Sequence, residues 1–151
     1  MSTSQTAYDF VFDALDGASM PLSAFRGQAL LVVNTASACG YTPQYEALER
    51  LWRGRREQGL MVLGVPSNDF GRQEPGSPQE IARFCTDRFQ VTFPLAAKTI
   101  VKGEGAHPFY RWVGDQVGLL GRHSRSTNRS AAARVQPLRS SLHRAMKTDT
   151  R

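Results

Sequence analysis

Two unbroken apolar runs stand out in the chain, and each has the length of a buried β-strand. The first covers residues 29–33 and the second covers residues 60–65. Between them, apolar positions recur at the spacing of an amphipathic helix over residues 43–58. The apolar stripe of that helix comprises Tyr45, Leu48, Leu51 and Trp52. A strand, a helix and a strand in this order predict two parallel strands joined by a crossover helix, and therefore an α/β fold.

Shorter patterns predict the elements around this unit. Alternation of polar and apolar side chains over residues 8–12, followed by the turn dipeptide Asp16-Gly17, predicts a small N-terminal hairpin. Residues 77–80, Ser-Pro-Gln-Glu, have the form of a capping box with proline at the first helical position. They predict a second helix that runs to about Phe89. A further helical segment is predicted over residues 107–113, with a proline near its start.

The positive charge of the chain is concentrated at its C-terminal end. The full sequence has 151 residues, enough for one domain with a substantial core, and a formal net charge of +6. Residues 1–117 hold 11 Lys and Arg against 12 Asp and Glu, whereas residues 118–151 hold 8 Lys and Arg against 1 acidic residue. We therefore divide the chain into a folded domain at 1–117 and a basic Arg/Ser-rich tail at 118–151. We expect the tail to be disordered, or partly helical near residues 139–147.

Composition also excludes several partners and locations. The first residues lack the charged and apolar regions of a secretory signal, and no apolar run approaches the roughly 20 residues that span a membrane. Two cysteines are too few for a disulfide scaffold, and no cluster of His and Cys has the spacing of metal ligands. The basic tail has no aromatic residue on which bases could stack, so we do not expect a nucleic-acid partner. We expect a cytoplasmic protein with two reduced thiols, no metal, no cofactor and no membrane partner.

Cys39 has the placement of a reactive thiol. It lies in the loop between the strand at 29–33 and the helix that begins with Pro43, for which Thr42 is a suitable cap. Unpaired N–H groups and the helix dipole at such a position favour the thiolate, which is the nucleophilic form of cysteine. The placement alone leaves open a second interpretation, in which Cys39 is a buried and inert thiol.

Three ordered stretches of the sequence resemble the signatures of one protein family. The first is Asn-Thr-Ala-Ser-Ala-Cys-Gly-Tyr-Thr-Pro-Gln-Tyr at residues 34–45. The second is Leu-Gly-Val-Pro-Ser-Asn-Asp-Phe-Gly-Arg-Gln-Glu-Pro-Gly at residues 63–76. The third is Phe-Cys at residues 84–85, followed by Val-Thr-Phe-Pro at residues 91–94. Together they resemble the glutathione peroxidase family, in its cysteine-containing and thioredoxin-dependent form.

The resemblance implies a thioredoxin-like fold and the chemistry of a thiol peroxidase. It assigns to Cys39 the attack on hydrogen peroxide or an organic hydroperoxide, with formation of a cysteine sulfenic acid. It assigns to Gln73 a hydrogen bond to the reacting sulfur, and to Cys85 the resolution of the sulfenic acid as a disulfide with Cys39. A cysteine at position 85 implies thioredoxin, rather than glutathione, as the reductant. From the residues alone, a position in a surface turn remains the alternative for Gln73, and a place on the core face of the second helix remains the alternative for Cys85.

The resemblance ends near residue 121. The family continues with a Trp-Asn-Phe signature, two more strands and a closing helix, none of which follows here. We therefore expect an incomplete fold without those elements and without the catalytic Trp and Asn. We interpret the tail as a truncated or out-of-frame reading, which sequencing of the coding region tests. The strand at 29–33 would then expose an apolar edge, which predicts low stability or self-association. The alternative function is a catalytically weak, redox-responsive thiol protein.

Overall fold

The computed structural model describes residues 4–37 and 44–123, with side chains as far as Gly118. The chain divides into two compact units, residues 1–110 and residues 111–151. The strands and helices, in chain order, are β1 (Val11–Asp13), β2 (Ser19–Pro21), β3 (Ala29–Thr35), α1 (Gln44–Arg55), β4 (Leu60–Pro66), α2 (Pro78–Arg83) and α3 (Pro108–His123). Short turns of 3-10 helix cover Ala7–Asp9, Leu22–Phe25 and Arg56–Gln58, and a π-helical turn covers Phe84–Arg88.

A parallel pair of strands lies at the centre of the first unit, as the two apolar runs predict. β3 and β4 pair from Ala29 opposite Leu60 to Thr35 opposite Pro66, and α1 is the crossover between them. Every residue of β4 after the first is buried, whereas β3 is half-buried over most of its length. The reason is that β4 also bridges to Leu95, while within residues 4–37 and 44–123 β4 is the only strand paired with β3.

The predicted N-terminal hairpin is present, but its first strand begins later than the alternation suggests. β1 and β2 pair antiparallel on either side of Gly17, which adopts a left-handed φ of 84°. Residues 8–12 do not form one strand, because Ala7–Asp9 are a 3-10 turn. The Asp9 carboxylate accepts hydrogen bonds from the backbone N–H and the hydroxyl of Thr6, at 2.7 and 3.0 Å. This local side-chain bonding competes with strand pairing and prevails here.

The first helix ends where predicted, although its buried face differs from the predicted stripe. α1 passes into a 3-10 turn that Gly59 terminates with a φ of 87°. Tyr45 and Leu48 are buried, but Leu51 is 37% exposed and Glu49 is only 6% exposed. A helix turns by about 100° per residue, so Glu49 shares a face with Tyr45 and Leu48 while Leu51 points away from it. The assignment of Leu51 to the core stripe is therefore wrong.

The second helix begins as predicted and then changes type. The Ser77 hydroxyl accepts the Glu80 N–H at 3.3 Å, and the Ser77 N–H donates to the Glu80 carboxylate at 2.7 Å, which confirms the capping box. After Arg83 the helix widens into the π-helical turn instead of continuing as α-helix to Phe89. A π turn brings side chains five residues apart onto one face. Phe84 and Phe89 therefore pack together, with ring centroids 5.5 Å apart.

The third helix confirms the helical segment predicted from residue 107, and it is longer than predicted. His107 precedes it, with its ring stacked on Phe12 at 4.2 Å and its Nε2 atom 2.8 Å from the carbonyl oxygen of Val11. α3 runs across the boundary between residues 117 and 118 that the charge pattern suggests. Residues 124–151 of the basic tail lie outside the described residues. The division into a peroxidase domain and a tail therefore stays a prediction.

Candidate active site

The two loops that carry the first two sequence signatures meet at one edge of the parallel sheet. Parallel strands bring their carboxyl ends to the same edge, so the residues after β3 and those after β4 are neighbours. The N–H of Ser67, directly after β4, donates to the carbonyl oxygen of Thr35 at 3.1 Å and closes this edge. From here the first loop leaves β3 through Ser37, and the second loop covers residues 67–76.

Glu74 joins the two loops. Its side chain is fully buried, and its Oε2 atom accepts the backbone N–H of Ser37 at 2.8 Å. Its own N–H donates to the side-chain oxygen of Asn68 at 3.1 Å, so the second loop is also bonded within itself. Burial raises the pKa of the Glu74 carboxyl, while hydrogen bonds from Ser37 and the charge of Lys98 lower it to a smaller extent. A buried acid thus contacts the chain two residues before Cys39.

Gln73 lies in the same loop, directly after a strained turn. Gly71 and Arg72 both adopt left-handed conformations, with φ of 70° and 55°. For a residue with a side chain this costs about 1–3 kcal/mol, so the turn at Arg72 must be held by surrounding contacts. One such contact is the Asp69 carboxylate, which accepts the N–H of Val101 at 2.6 Å. The Gln73 side chain is half-buried.

Cys39, the predicted nucleophile, lies outside the described residues, as do Thr42 and Pro43. The described chain stops at Ser37 and resumes at Gln44, the first residue of α1. Covalent geometry alone limits the distance between residues 37 and 39 to about 7 Å, because each residue spans at most about 3.6 Å. The reactivity of Cys39 and its contact with Gln73 therefore stay predictions.

Cys85, the predicted resolving cysteine, lies in the π-helical turn and is packed in the core as a free thiol. Its exposure is 0%, and its sulfur lies beside the hydroxyl of Tyr45. Burial raises the pKa of the Cys85 thiol to about 11; the charge of Glu74 acts in the same direction, and the Tyr45 hydroxyl opposes both. In this conformation Cys85 is protonated at neutral pH and has no access to solvent.

Two contacts fasten the Cys85 segment to α1. The Tyr45 ring packs against Phe89 and Phe84, with centroids 5.4 and 6.2 Å away. Farther along the chain, the buried carboxylate of Glu49 accepts the N–H of Thr92 at 2.7 Å and its hydroxyl at 2.5 Å. Burial alone would raise the pKa of Glu49, but these bonds and one from the Arg53 side chain hold that pKa below its usual value. The segment is thus held on both sides of the cysteine.

An open cavity of about 410 Å³ lies beside the buried acid. Among the described residues, the lining comprises Ser37, Glu74, Pro75, Gly76, Glu80, Ile81 and Phe84. The Oε1 atom of Glu74 is buried, and the Ser37 side chain lies close enough to this carboxyl to lower its pKa. A mainly apolar wall with a few polar groups is typical of a site for a small molecule that has both kinds of surface.

Sequence reasoning missed Glu74 and the role of Tyr45. Glu74 stands among turn-forming residues, where an acidic side chain is usually exposed. Its place inside the second signature is the only signal that could have drawn attention to it. Tyr45 is buried, as the predicted core stripe requires, but its hydroxyl also lies beside the Cys85 thiol.

Neither a metal-ligand cluster nor a membrane-spanning helix is found among the described residues. Among them, no three His, Cys, Asp or Glu side chains are close enough together to hold a metal ion. None of the helices in the described ranges is long and apolar enough to cross a membrane.

Comparison with known proteins identifies relatives over most of the chain. The sequence profile described as glutathione peroxidase matches residues 7–114. The glutathione peroxidase-like peroxiredoxin gpx1 of Schizosaccharomyces pombe is 46% identical, over 76% of this chain and 72% of its own length. The hydroperoxy fatty acid reductase gpx1 of Synechocystis is 49% identical, over 72% of this chain and 64% of its own length. The glutathione peroxidase homolog BsaA of Staphylococcus aureus is 45% identical, over 72% of this chain and 69% of its own length.

Two crystal structures resemble the chain in both backbone and sequence. The apo form of Trgpx has a TM-score of 0.60 and 35% identity, with 79% of this chain and 71% of that chain covered. GPX1 of T. cruzi has a TM-score of 0.59 and 32% identity, and the match covers 82% of this chain and 74% of that chain. The matched part of this chain therefore spans roughly two thirds to three quarters of these relatives, from 64% to 74%.

Proposed function

The chain belongs to the glutathione peroxidase family and has its thioredoxin-like fold, and we propose that it is a thiol peroxidase of hydrogen peroxide and organic hydroperoxides. Relatives in this family of peroxidases are named as a peroxiredoxin and a hydroperoxy fatty acid reductase. The observation that carries the proposal is the hydrogen bond of 2.8 Å from the Ser37 N–H to the Glu74 carboxylate. This bond joins the second signature loop to the segment that leads to Cys39. Residues of both signatures therefore lie at one site.

In the proposed reaction Cys39 is oxidised first. Its thiolate sulfur bonds to the distal oxygen of the hydroperoxide, and the O–O bond breaks. The sulfur becomes a sulfenic acid, and the leaving oxygen takes up a proton to become an alcohol or water. Gln73 supports this step by donating a hydrogen bond from its side-chain amide to the thiolate, which favours the charged form. The half-buried position of Gln73 in the second loop is compatible with this role.

Cys85 then resolves the sulfenic acid. Its sulfur bonds to the Cys39 sulfur, and the sulfenic oxygen leaves as water, which gives a disulfide. Cys85 is buried and protonated in the described conformation, so its segment must open first. Two features favour opening at this place. The π-helical turn interrupts regular α-helix, and Gln90 beyond it has a left-handed φ of 50°, which costs about 1–2 kcal/mol.

We propose thioredoxin, rather than glutathione, as the reductant and the cytoplasm as the compartment. An intramolecular disulfide between Cys39 and Cys85 is a substrate for a dithiol reductase, which reopens it by thiol–disulfide exchange. A reducing compartment keeps both thiols available for the next cycle.

The test compares wild-type protein with Cys39→Ser and Cys85→Ser in a thioredoxin assay coupled to NADPH. The wild type should turn over hydrogen peroxide and an organic hydroperoxide with saturation, and Cys39→Ser should be inactive. Cys85→Ser should form one sulfenic acid per chain, detectable with dimedone, and then stop. Unchanged turnover by Cys85→Ser would refute its resolving role. A wild type that consumes peroxide no faster than free cysteine would refute the peroxidase proposal.

A second candidate function is a redox-responsive protein with slow turnover. The burial of Cys85 and its raised pKa favour it, because a protonated and inaccessible thiol resolves a sulfenic acid only as fast as its segment opens. In the same assay, this function would give a single stoichiometric oxidation of Cys39 followed by little NADPH consumption. Fast and saturating turnover would exclude it.

A further inference from the structure

The outer edge of β3 carries backbone groups that no described residue pairs with. β3 bonds to β4 through alternate residues, beginning with the N–H of Ala29, which donates to the carbonyl oxygen of Gly59 at 2.7 Å. At the other end, the Thr35 carbonyl oxygen accepts the N–H of Ser67 at 3.1 Å. In a parallel pair, the intervening residues direct their N–H and C=O groups to the opposite side. These residues are Leu30, Val32 and Asn34, and in the part of the chain that the structure describes no strand pairs with that side.

The sequence of β3 contains none of the residues that usually protect an edge strand. Natural edge strands carry charged side chains, proline or a bulge, which prevent pairing with another chain. β3 reads Ala-Leu-Leu-Val-Val-Asn-Thr and pairs with β4 in one unbroken register from end to end. Its side chains at residues 30–32 are only half-buried. An uncharged strand of this kind, with unpaired backbone groups, is suited to the addition of another strand.

The helix above the sheet has an apolar flank on the same side. Glu49 of α1 bonds to Thr92, and the chain continues from there to Pro94, which accepts the Gly64 N–H on the side of β4 away from β3. Leu51 lies about 160° around the helix from Glu49, and therefore on the flank towards the outer edge of β3. This explains why Leu51 is 37% exposed although it is apolar. The other residues of this flank are uncharged as well: Gln44 and Ala47.

We propose that the outer edge of β3 is an interface between two copies of this chain, in which the two β3 strands pair antiparallel about a two-fold axis at Val32. Val32 then lies opposite Val32 of the second copy, and Leu30 lies opposite Asn34 of the second copy. This register brings the outward-facing backbone groups together, and each such pair in an antiparallel ladder exchanges two hydrogen bonds. No charged residue of β3 is brought near its own copy.

The geometry of the sheet favours a second copy as the occupant of this edge. Neighbouring strands lie about 4.8 Å apart, so two crossover helices, each lying over its own β3 and β4, would be about 10 Å apart, which is a helix-packing distance. The two Leu51 flanks then supply area beyond the strand pair, as an interface of roughly 800 Å² per partner requires. Residues 124–151 hold only four β-branched residues, so the composition of the tail does not favour a strand at this edge.

The assembly ends at two copies, because the other side of the sheet is already occupied. Gly64 of β4 donates to the Pro94 carbonyl oxygen at 3.0 Å and accepts the Ala96 N–H at 2.8 Å. A two-fold contact uses the same surface of both copies, so pairing consumes both open edges at once. The inference does not depend on the proposed peroxidase function.

The first experiment measures the mass of the full chain in solution by analytical ultracentrifugation over a range of concentrations. The wild type should sediment at twice the chain mass of 16.7 kDa. Leu51→Glu should raise the dissociation constant of the dimer about 100-fold, because apolar contact is lost in both copies. Ile100→Glu is the matched control, because Ile100 is 56% exposed and follows Thr99, whose N–H bonds to Pro66 on the side of β4 away from β3.

The second experiment tests the register with single cysteines, in full-length chains that also carry Cys39→Ser and Cys85→Ser. In the proposed pairing, the Cα atoms of Val32 and of its copy lie about 5.5 Å apart, within the range of a disulfide. Val32→Cys should therefore form a cross-linked dimer when treated with diamide. Leu30→Cys is the matched control on the same edge. The two Leu30 positions are separated by four residues along the strand, about 14 Å, which is too far for a disulfide.

The outcomes separate the interface from its alternatives. A dimeric wild type, a weakened Leu51→Glu dimer and cross-linking of Val32→Cys alone would support the proposal. A monomeric wild type would overturn it, whether the edge is covered by the chain's own tail or by nothing. Equal dissociation constants for Leu51→Glu and Ile100→Glu, or a Leu30→Cys cross-link as rapid as that of Val32→Cys, would also overturn it. None of these outcomes involves peroxide turnover, so each leaves the peroxidase proposal as it stands.

Discussion

Glu49 is the residue whose removal should most clearly reveal what restrains Cys85. Its buried carboxylate fastens Thr92, which lies beyond the cysteine segment, and it also accepts the Nε–H of Arg53 at 2.6 Å. Replacement of Glu49 by alanine removes all of these contacts. We expect lower global stability and faster exposure of Cys85, because one of the two attachments of its segment to α1 is lost.

The size of the effect follows from the contacts. Hydrogen bonds to charged groups contribute about 1.5–3 kcal/mol each, and Thr92 donates two of them. Thr92 is exposed, so water can bond the groups that the substitution frees. We therefore use the lower value for each of the two bonds, which gives a loss of about 3 kcal/mol. The Arg53 side chain is 57% exposed, so its ion pair adds at most about 1 kcal/mol. Arg53→Ala, which removes only the ion pair, is therefore the matched control.

Two measurements test this expectation. Urea unfolding should show a loss of about 3 kcal/mol for Glu49→Ala and no more than about 1 kcal/mol for Arg53→Ala. In a Cys39→Ser background, maleimide labelling of Cys85 should accelerate by up to about 100-fold in Glu49→Ala, since each 1.4 kcal/mol corresponds to a factor of ten. Equal losses of stability in the two variants would show that Thr92 contributes nothing and would refute the reasoning.

The same carboxylate should make stability depend on pH. The pKa of Glu49 is lowered in the folded state, so its contribution is present above the unfolded-state value of about 4.3 and is lost as pH falls through the lower folded-state value. The free energy of unfolding of the wild type, measured with urea, should therefore decrease as the pH falls through that acidic range. Glu49→Gln should lose less over the same range, and an identical slope for the two proteins would contradict the assignment.

Two further predictions concern the backbone. Gln90→Gly should raise stability in urea unfolding by about 1 kcal/mol, because glycine removes the cost of the left-handed φ of 50°; unchanged stability would show that the turn is unstrained. Gly64→Ala should cost about 1–3 kcal/mol, because its Cβ would lie 2.5 Å from the Leu95 side chain. Gly54→Ala in α1 meets no atom within 4 Å and should instead gain up to about 1 kcal/mol. Two glycine variants of equal stability would contradict the close contact at Leu95.

The elements that sequence patterns predict correctly are those determined by local chemistry. The two apolar runs correctly predict β3 and β4, and the capping box at residues 77–80 correctly predicts the start of α2. Gly59 gives the end of the first helix because its left-handed conformation suits glycine. Each of these features depends on a few neighbouring residues, so no knowledge of distant contacts is needed.

The features that sequence patterns do not predict depend on residues far apart in the chain. Glu49 and Arg53 have the spacing of a surface ion pair, but Glu49 is buried because Thr92, 43 residues away, satisfies it. Glu74 is buried because Ser37, 37 residues away, donates to it. The π-helical turn likewise makes a distant contact, because Phe84 and Phe89 at its two ends both pack against Tyr45 of α1.

The separation of Ser37 and Glu74 by 37 residues affects how the protein is made. At about 5–20 residues per second, a ribosome adds those residues in roughly 2–7 seconds. During that interval the nascent chain already contains Cys39 but has neither the second loop nor its acid. We expect a synthetic peptide that ends before residue 60 to show only the slow oxidation of an ordinary thiol, because it lacks the second loop.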